Sequence, residues 1–371
     1  MKHSNSKRDV WIIDADTSHS GKVSKALQDL YNIDCFENTG RLFEEIKKGS
    51  PAAMLITGNT SPENCVDIIH KIREIDQKQE IVIIYIAGSE IDPKIEKSKQ
   101  AGANATLSRP YSKQALLNTV SNSLNQAVER QWDALPETQK NALKQSSSIF
   151  SDISNVISSG QPVEFNSVKD NCQPLVDAIE TGDFLSILDG VKNHDDYTYA
   201  HSMRVATLLT LLGHEAGFNN DEQLLLSSGG LVHDVGKMMI PHEILNKPGR
   251  LTDEEFEIMK SHVAETMTYL DTCDDIPKGV RIIAEQHHEK IDGTGYPHNL
   301  QGKDLNELAR MAAVVDVFSA LTDRRVYKEP MPTEKAIKIM TEEMTSHLDQ
   351  HFVKMFEKIA YDAKVIQSAK T

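Results

Sequence analysis

Leu224-Leu225-Leu226-Ser227-Ser228-Gly229-Gly230-Leu231-Val232-His233-Asp234-Val235-Gly236-Lys237 is an apolar stretch that runs into an adjacent imidazole and carboxylate. Leu224–Val235 reads as a buried helix, since its apolar run is too long for an ordinary strand. A His-Asp pair at the end of such a helix can serve one metal, or its carboxylate can bridge two. Lys237 follows His233 at the i, i+4 spacing that places two side chains on one side of a helix. It can stabilise phosphate charge there, or stand as a solvated lysine near a helix C-terminus. Gly236-Lys237 is not a phosphate loop, because the required glycine spacing is missing.

Helical patterns continue on both sides of this stretch. Val176–Leu188 is amphipathic, and His201–Leu212 carries Val205, Leu208, Leu209 and Leu212 at helical spacing. Thr252 followed by Glu255 is a capping box, and Phe256, Met259, Val263, Met267 and Leu270 line one face after it. Val280–His288, Leu308–Leu321 and Thr333–Met344 complete an all-helical half. Nine of the 14 histidines fall between His194 and His298, which makes this half the place to look for chemistry. His201 and His262 lie within helices, and His287-His288 ends another. Taken alone, His201 or His262 is better explained as a hydrogen-bonded core histidine than as a ligand. Asp316 lies in the apolar run Met311–Leu321, where an uncompensated carboxylate is costly. A metal removes that cost; a salt bridge to Arg310, Arg324 or Arg325 is the alternative.

Side chains on four or five helices can converge in a bundle core. Their nitrogen and oxygen donors suit iron, manganese or zinc, and the lack of thiolates disfavours a structural zinc site. Two metals roughly 3.5–4 Å apart can bridge a hydroxide and stabilise in-line attack on a phosphodiester. His287–Pro297 (HHEKIDGTGYP) adds a tight loop set by two glycines and a proline. Tyr296 can stack on a base or pack its own loop. Asp292 can cap the turn or hydrogen-bond a ligating histidine from behind.

The first 125 residues are different. Val10–Ile13, Ile33–Phe36, Ala52–Ile56, Ile81–Ile86 and Ala105–Leu107 read as short strands. Helical stretches fall at Ser24–Leu30, Gly40–Lys48, Cys65–Ile75 and from Ser112 onward. Apolar strands alternating with helices imply a doubly wound α/β domain with a parallel sheet. We therefore expect a compact α/β domain over 1–125, a helical connector over 126–160 broken at Pro136, and an all-α domain over 161–371. Ser158–Gly160 and Pro162 mark the turn between the last two.

Length fits this division, at 371 residues. The net charge of -15 argues against non-specific nucleic-acid binding, so no DNA partner is expected. No apolar run approaches the ~20 residues that span a bilayer. The N-terminal MKHSNSKRDV is not followed by an apolar signal-peptide core. Cys35, Cys65, Cys172 and Cys273 are scattered, which fits a reducing, cytoplasmic setting.

Three segments, HDVGK at His233–Lys237, HHEKIDGTGYP at His287–Pro297 and DVFSALTDRRVYK at Asp316–Lys328, follow the order seen in the HD-GYP family of HD phosphohydrolases. The chain resembles that family over roughly residues 160–365. The resemblance implies a helical, metal-dependent phosphodiesterase that opens cyclic di-GMP to pGpG, in some members on to GMP. It implies that His233 and Asp234 form the central pair, the aspartate bridging two metals. His262, His287 and His288 complete one side; His201 and Asp316 serve the other metal. Lys237 contacts solvent between the metals or a phosphate oxygen, Arg325 and Lys328 take the substrate phosphates, and Tyr296 belongs to the loop. Two positions depart from the pattern. Tyr197 stands where some members have a third-metal glutamate, which favours two metals, and Val263 follows His262 where proline is usual.

The first half resembles a response-regulator receiver domain, more loosely. Asp14 and Asp16 match the acidic patch, and Arg109-Pro110 the usual Lys-Pro. Thr57-Gly58 occupies the phosphoacceptor position and Ile86 the switch hydroxyl position. A threonine cannot form the acyl phosphate a receiver uses. The resemblance therefore implies a pseudo-receiver that acts through contacts, as a homodimer or by docking a regulator. The reading is a two-metal cyclic di-GMP phosphodiesterase with a bridging hydroxide. The competing reading is a non-catalytic cyclic di-GMP sensor or interaction hub with a structural metal site.

Overall fold

The computed structural model describes residues 7–362 apart from 61, 160–164, 248 and 324–329. The chain divides into two units, Met1–Arg130 and Gln131–Thr371.

In the first unit, strands β1 (Arg8–Ile13), β2 (Tyr31–Phe36), β3 (Ala53–Thr57), β4 (Val82–Ala87) and β5 (Ala105–Ser108) alternate with helices α1 (Thr17–Leu27), α2 (Thr39–Ile46), α3 (Cys65–Ile75), α4 (Lys94–Gln100) and α5 (Lys113–Gln131). The sheet is parallel with order β2-β1-β3-β4-β5, the doubly wound arrangement expected from the alternation. Successive strand residues point to opposite faces. Trp11, Ile13, Met54, Ile56, Ile83 and Tyr85 enter one core, while Val10, Ile12, Leu55, Ile84 and Ile86 enter the other. Both faces are covered, so the central strands read as unbroken apolar runs. Helix α1 starts at Thr17 rather than near Ser24. Asp16 caps it by accepting from the N–H groups of Ser18 and His19.

The second unit is helical. After a 3-10 turn at Trp132–Ala134, the interruption expected at Pro136 gives way to α6 (Glu137–Ser159). Trp132 is buried and its indole N–H donates to Gly190 O at 3.0 Å. Then come α7 (Phe165–Glu180), α8 (Leu185–Val191), α9 (Tyr197–Glu215), α10 (Asn220–Val232), α11 (His242–Leu245), α12 (Asp253–Lys260), α13 (His262–Asp271), α14 (Lys278–Gln286), α15 (Glu307–Thr322), α16 (Thr333–Glu342) and α17 (Gln350–Asp362). Helices α9 and α10 form the buried centre. A Cβ on Gly230 would lie 2.7 Å from Ala206 Cα, so glycine permits that close backbone approach. Pro162 and Gly160 of the expected turn lie outside the described residues. No helix among the described residues is long and apolar enough to cross a membrane.

Three expectations about helix continuity are corrected. Helix α10 stops at Val232, and Val235–Met239 is a 3-10 turn, so His233 and Lys237 do not share one α-helical face. The stop follows from packing, because a Cβ on Gly236 would lie 2.1 Å from His262 O. The expected face from Phe256 to Leu270 is split at Ser261 between α12 and α13, which leaves Phe256 47% exposed. Helix α14 ends at Gln286, so His287 caps it and His288 lies beyond.

Candidate metal centre

Every helix break just described delivers a side chain to the same place. His201 comes from α9, His233 and Asp234 from the end of α10, His262 from the start of α13, His287 and His288 from the end of α14, and Asp316 from α15. Among the described residues they form two groups whose candidate ligand atoms all lie within 4.8 Å of one another: His201, His233, Asp234, Asp316 and Asp234, His262, His287, His288. Asp234 is common to both, and its two oxygens divide between them. Oδ2 lies 3.5 Å from His201 Nε2 and 3.2 Å from His233 Nε2. Oδ1 lies 3.2 Å from His262 Nε2 and 3.7 Å from His287 Nε2.

Hydrogen bonds behind the rings decide their tautomers. His233 Nδ1 donates to Gly230 O at 2.7 Å, His262 Nδ1 to Met259 O at 2.6 Å, and His287 Nδ1 to Ala284 O at 3.0 Å. A carbonyl can only accept, so each Nδ1 carries a proton and each ring turns its Nε2 into the cluster. Those three Nε2 atoms, His288 Nε2 and Asp234 Oδ1 are buried and have no hydrogen-bond partner. Buried polar atoms are almost always paired. Five orphans aimed into one cluster, with backbone carbonyls orienting the rings from behind, fit a divalent metal pair.

Electrostatics agree with that chemistry. Burial pushes His288 down to about 3 and His287 well below the ordinary histidine range. Burial opposes the charges of Asp234 and Asp316, but His233 and Lys237 beside the first and His201 beside the second hold both well below the usual carboxylate range. Neutral rings at His287 and His288 and charged carboxylates at Asp234 and Asp316 are the protonation states a metal requires. His201 differs. Burial works against its charge, yet the carboxylates of Asp316 and Asp323 hold it up at about 9.

Among the described residues, Asp316 finds imidazoles as its partners. His201 Nε2 is 3.0 Å from its Oδ1, and His288 Nδ1 is 3.8 Å from its Oδ2. Arg310 pairs instead with Asp349 at 2.7 Å. Arg324, Arg325 and Lys328 lie outside the described residues. Lys237 reaches the cluster by the 3-10 turn, and its ammonium pairs with Asp234 Oδ2. The Tyr296 ring stacks on His288 with centroids 4.7 Å apart and planes at 29°. Asp292 serves the loop: its Oδ1 accepts from the Thr294 N–H at 2.9 Å and hydroxyl at 2.7 Å.

Three residues were not anticipated. Asp323 accepts from His201 Nδ1 at 2.9 Å and pairs with Arg204 Nε at 3.0 Å. Its signal was the seven-residue interval from Asp316, two helical turns along the same face. Thr266 Oγ1 accepts from Gly236 N–H at 2.9 Å and donates to His233 O at 3.3 Å, clamping the His-Asp turn onto α13. Buried Glu289 accepts from the N–H groups of His298 at 2.6 Å and Leu300 at 3.0 Å, which fixes the glycine loop. No local pattern distinguishes either of these two from its neighbours.

The receiver-like residues also meet. Asp14 is buried, accepting from the Thr57 hydroxyl at 2.9 Å and the Asp16 N–H at 3.0 Å, with His19 Nδ1 at 2.6 Å and Arg109 at 3.6 Å. His19 Nε2 contacts Tyr111 OH at 2.6 Å. Asp16 is occupied as the cap of α1, and Ile86 is buried in the sheet.

Residues 187–352 match the family model described as HD domain. The second unit carries an HD domain. All seven cluster residues fall within that match. The chain is 39% identical over 168 residues to a cyclic di-GMP phosphodiesterase of Pseudomonas aeruginosa, covering 45% of this chain and 40% of that one. It is 35% identical over 153 residues to the 3'3'-cGAMP-specific phosphodiesterase 3 of Vibrio cholerae, covering 41% and 33%. The chain thus spans less than half the length of these two relatives. A further Vibrio cholerae relative is 26% identical over 363 residues, 94% of this chain and 76% of its own, so that alignment runs through both units.

Proposed function

We propose that the HD domain is a metal-dependent phosphodiesterase that opens cyclic di-GMP to linear pGpG. The observation that carries this reading is the set of five buried, unpartnered donor atoms gathered around Asp234. His201, His233, Asp234 and Asp316 would hold one divalent cation, and Asp234, His262, His287 and His288 a second. Iron or manganese suits this donor set, and zinc is compatible with it. When bound, the pair supplies Lewis acidity and an activated water to a phosphodiester. The chain's own groups complete the chemistry. The Lys237 ammonium offsets negative charge on a phosphate oxygen, and Asp234 keeps the two ligand groups in register. On the family resemblance, Arg325 and Lys328 take the outer phosphate oxygens.

A second substrate, 3'3'-cGAMP, is favoured by the naming of the Vibrio cholerae relative. One experiment separates the two. Anaerobically purified protein is analysed for metal, and the same sample is assayed on both cyclic dinucleotides. Metal-dependent release of pGpG, lost in His233→Ala and Asp234→Ala, supports the reading. Retained metal with no turnover of either substrate refutes it and leaves the sensor alternative.

For the first unit we propose action through protein contacts, by self-association or by docking a regulator, rather than by aspartyl phosphorylation. Support comes from Thr57 at the acceptor position, its hydroxyl already bonded to Asp14. Beryllofluoride should leave its oligomeric state and the activity of the chain unchanged.

A further inference from the structure

Helix α12 has no buried residue, although it carries Phe256 and Ile258. Phe256 is 47% exposed, and its ring lies against the metal centre's own loop. It meets Tyr296 edge-on, with centroids 6.4 Å apart and planes at 82°. Tyr296 in turn stacks on His288. A continuous row of rings therefore leads from the ligand cluster out to solvent. Lys260, one turn along α12, holds its ammonium 5.4 Å from the Phe256 centroid and 5.7 Å from that of Tyr296. Glu257 anchors that ammonium at 2.6 Å.

An exposed ring and a tethered cation at the edge of a phosphodiester site match the two faces of a nucleobase. The ring offers a flat apolar surface for stacking, and the ammonium offers a donor in the plane of the base edge. Guanine presents two acceptors there, O6 and N7, whereas adenine replaces one with an amino donor that repels a cation. We propose that Phe256 and Lys260 form the base platform of this site, Phe256 stacking on one purine of a cyclic dinucleotide and Lys260 favouring guanine. This inference rests on the phosphodiesterase reading above.

The test compares full-length wild type, Phe256→Ala, Phe256→Trp and Lys260→Met, each checked for metal content and melting temperature. Loss of one base-stacking contact corresponds to about a 5- to 100-fold weakening. Phe256→Ala should raise the cyclic di-GMP KM by about that factor with kcat within about twofold, and Phe256→Trp should restore it. Lys260→Met should lower the preference for cyclic di-GMP over cyclic di-AMP, which offers no guanine, by about tenfold or more. An unchanged KM in Phe256→Ala at full metal content, or an equal effect of Lys260→Met on both substrates, overturns the platform. If wild type hydrolyses no cyclic dinucleotide, the phosphodiesterase reading falls by itself. Calorimetric titration of cyclic di-GMP then decides the platform: it stands if Phe256→Ala weakens binding by the same factor, and falls if the two bind alike or wild type does not bind.

Discussion

Replacing Asp323 tests whether the cluster holds two cations with separate supports. Among the described residues Asp323 bonds to His201 and Arg204, and His201 belongs to only one of the two ligand groups. Its carboxylate accepts the Nδ1 proton of His201 at 2.9 Å, a charge-assisted bond between side chains no more than 10% exposed. Such a bond contributes about 1.5–3 kcal/mol. Partners behind a metal-binding histidine are worth ~10–100-fold in metal affinity, which is about 1.4–2.7 kcal/mol. The two routes agree. Asp323→Ala should therefore weaken one bound equivalent by ~10–100-fold and leave the other within about threefold. Asp323→Asn, which keeps an acceptor for Nδ1–H, should fall between. The assay is anaerobic chelator competition with metal stoichiometry by mass spectrometry. Two equivalents weakened alike, or neither weakened, would falsify the division of the cluster into two groups sharing Asp234.

Gly236→Ala should destabilise the HD domain by ~1–3 kcal/mol or more, since its Cβ would strike the His262 carbonyl and Thr266 N, backbone atoms that cannot swing aside; a melting temperature and metal content equal to wild type would refute this. In the first unit, burial disfavours the charge of Asp92, but the Lys94 N–H, the Tyr85 hydroxyl and the Gly88 N–H hold its carboxyl below the ordinary value. A depressed carboxyl stabilises the fold above its unfolded pKa of about 4, and that contribution is lost as pH falls through the lower folded value. Asp92→Ala should thus lower the urea midpoint at neutral pH and flatten its acid decline; a parallel shift at every pH counts against it. Thiol labelling at pH 8 should modify Cys35 alone in the native chain, because Cys65, Cys172 and Cys273 are buried and burial pushes the Cys172 thiol up to about 11. A second fast thiol would contradict the described burial.

Legibility differed between the two units for a physical reason. Strand periodicity is local, so β1–β5 could be located from short apolar runs, and the doubly wound topology follows from their alternation with helices. Helix α1 was shifted because its start depends on a single cap, Asp16. In the HD domain, residue types and their order were readable. The turn at Gly236, the break at Ser261 and the early end of α14 were not. Each is imposed by a neighbouring element, such as the α13 backbone pressed against Gly236.

Sequence alone thus named the side chains whose chemistry suits a metal, their order along the second unit, and a threonine at position 57, whose hydroxyl forms no acyl phosphate. Those properties belong to side-chain chemistry and to intervals along one chain. Tertiary structure decided which oxygen of Asp234 faces which histidines, which ring nitrogens carry protons, and that Asp323 stands behind His201. These are relations among residues as many as 122 positions apart, and only packing brings such partners within hydrogen-bonding distance.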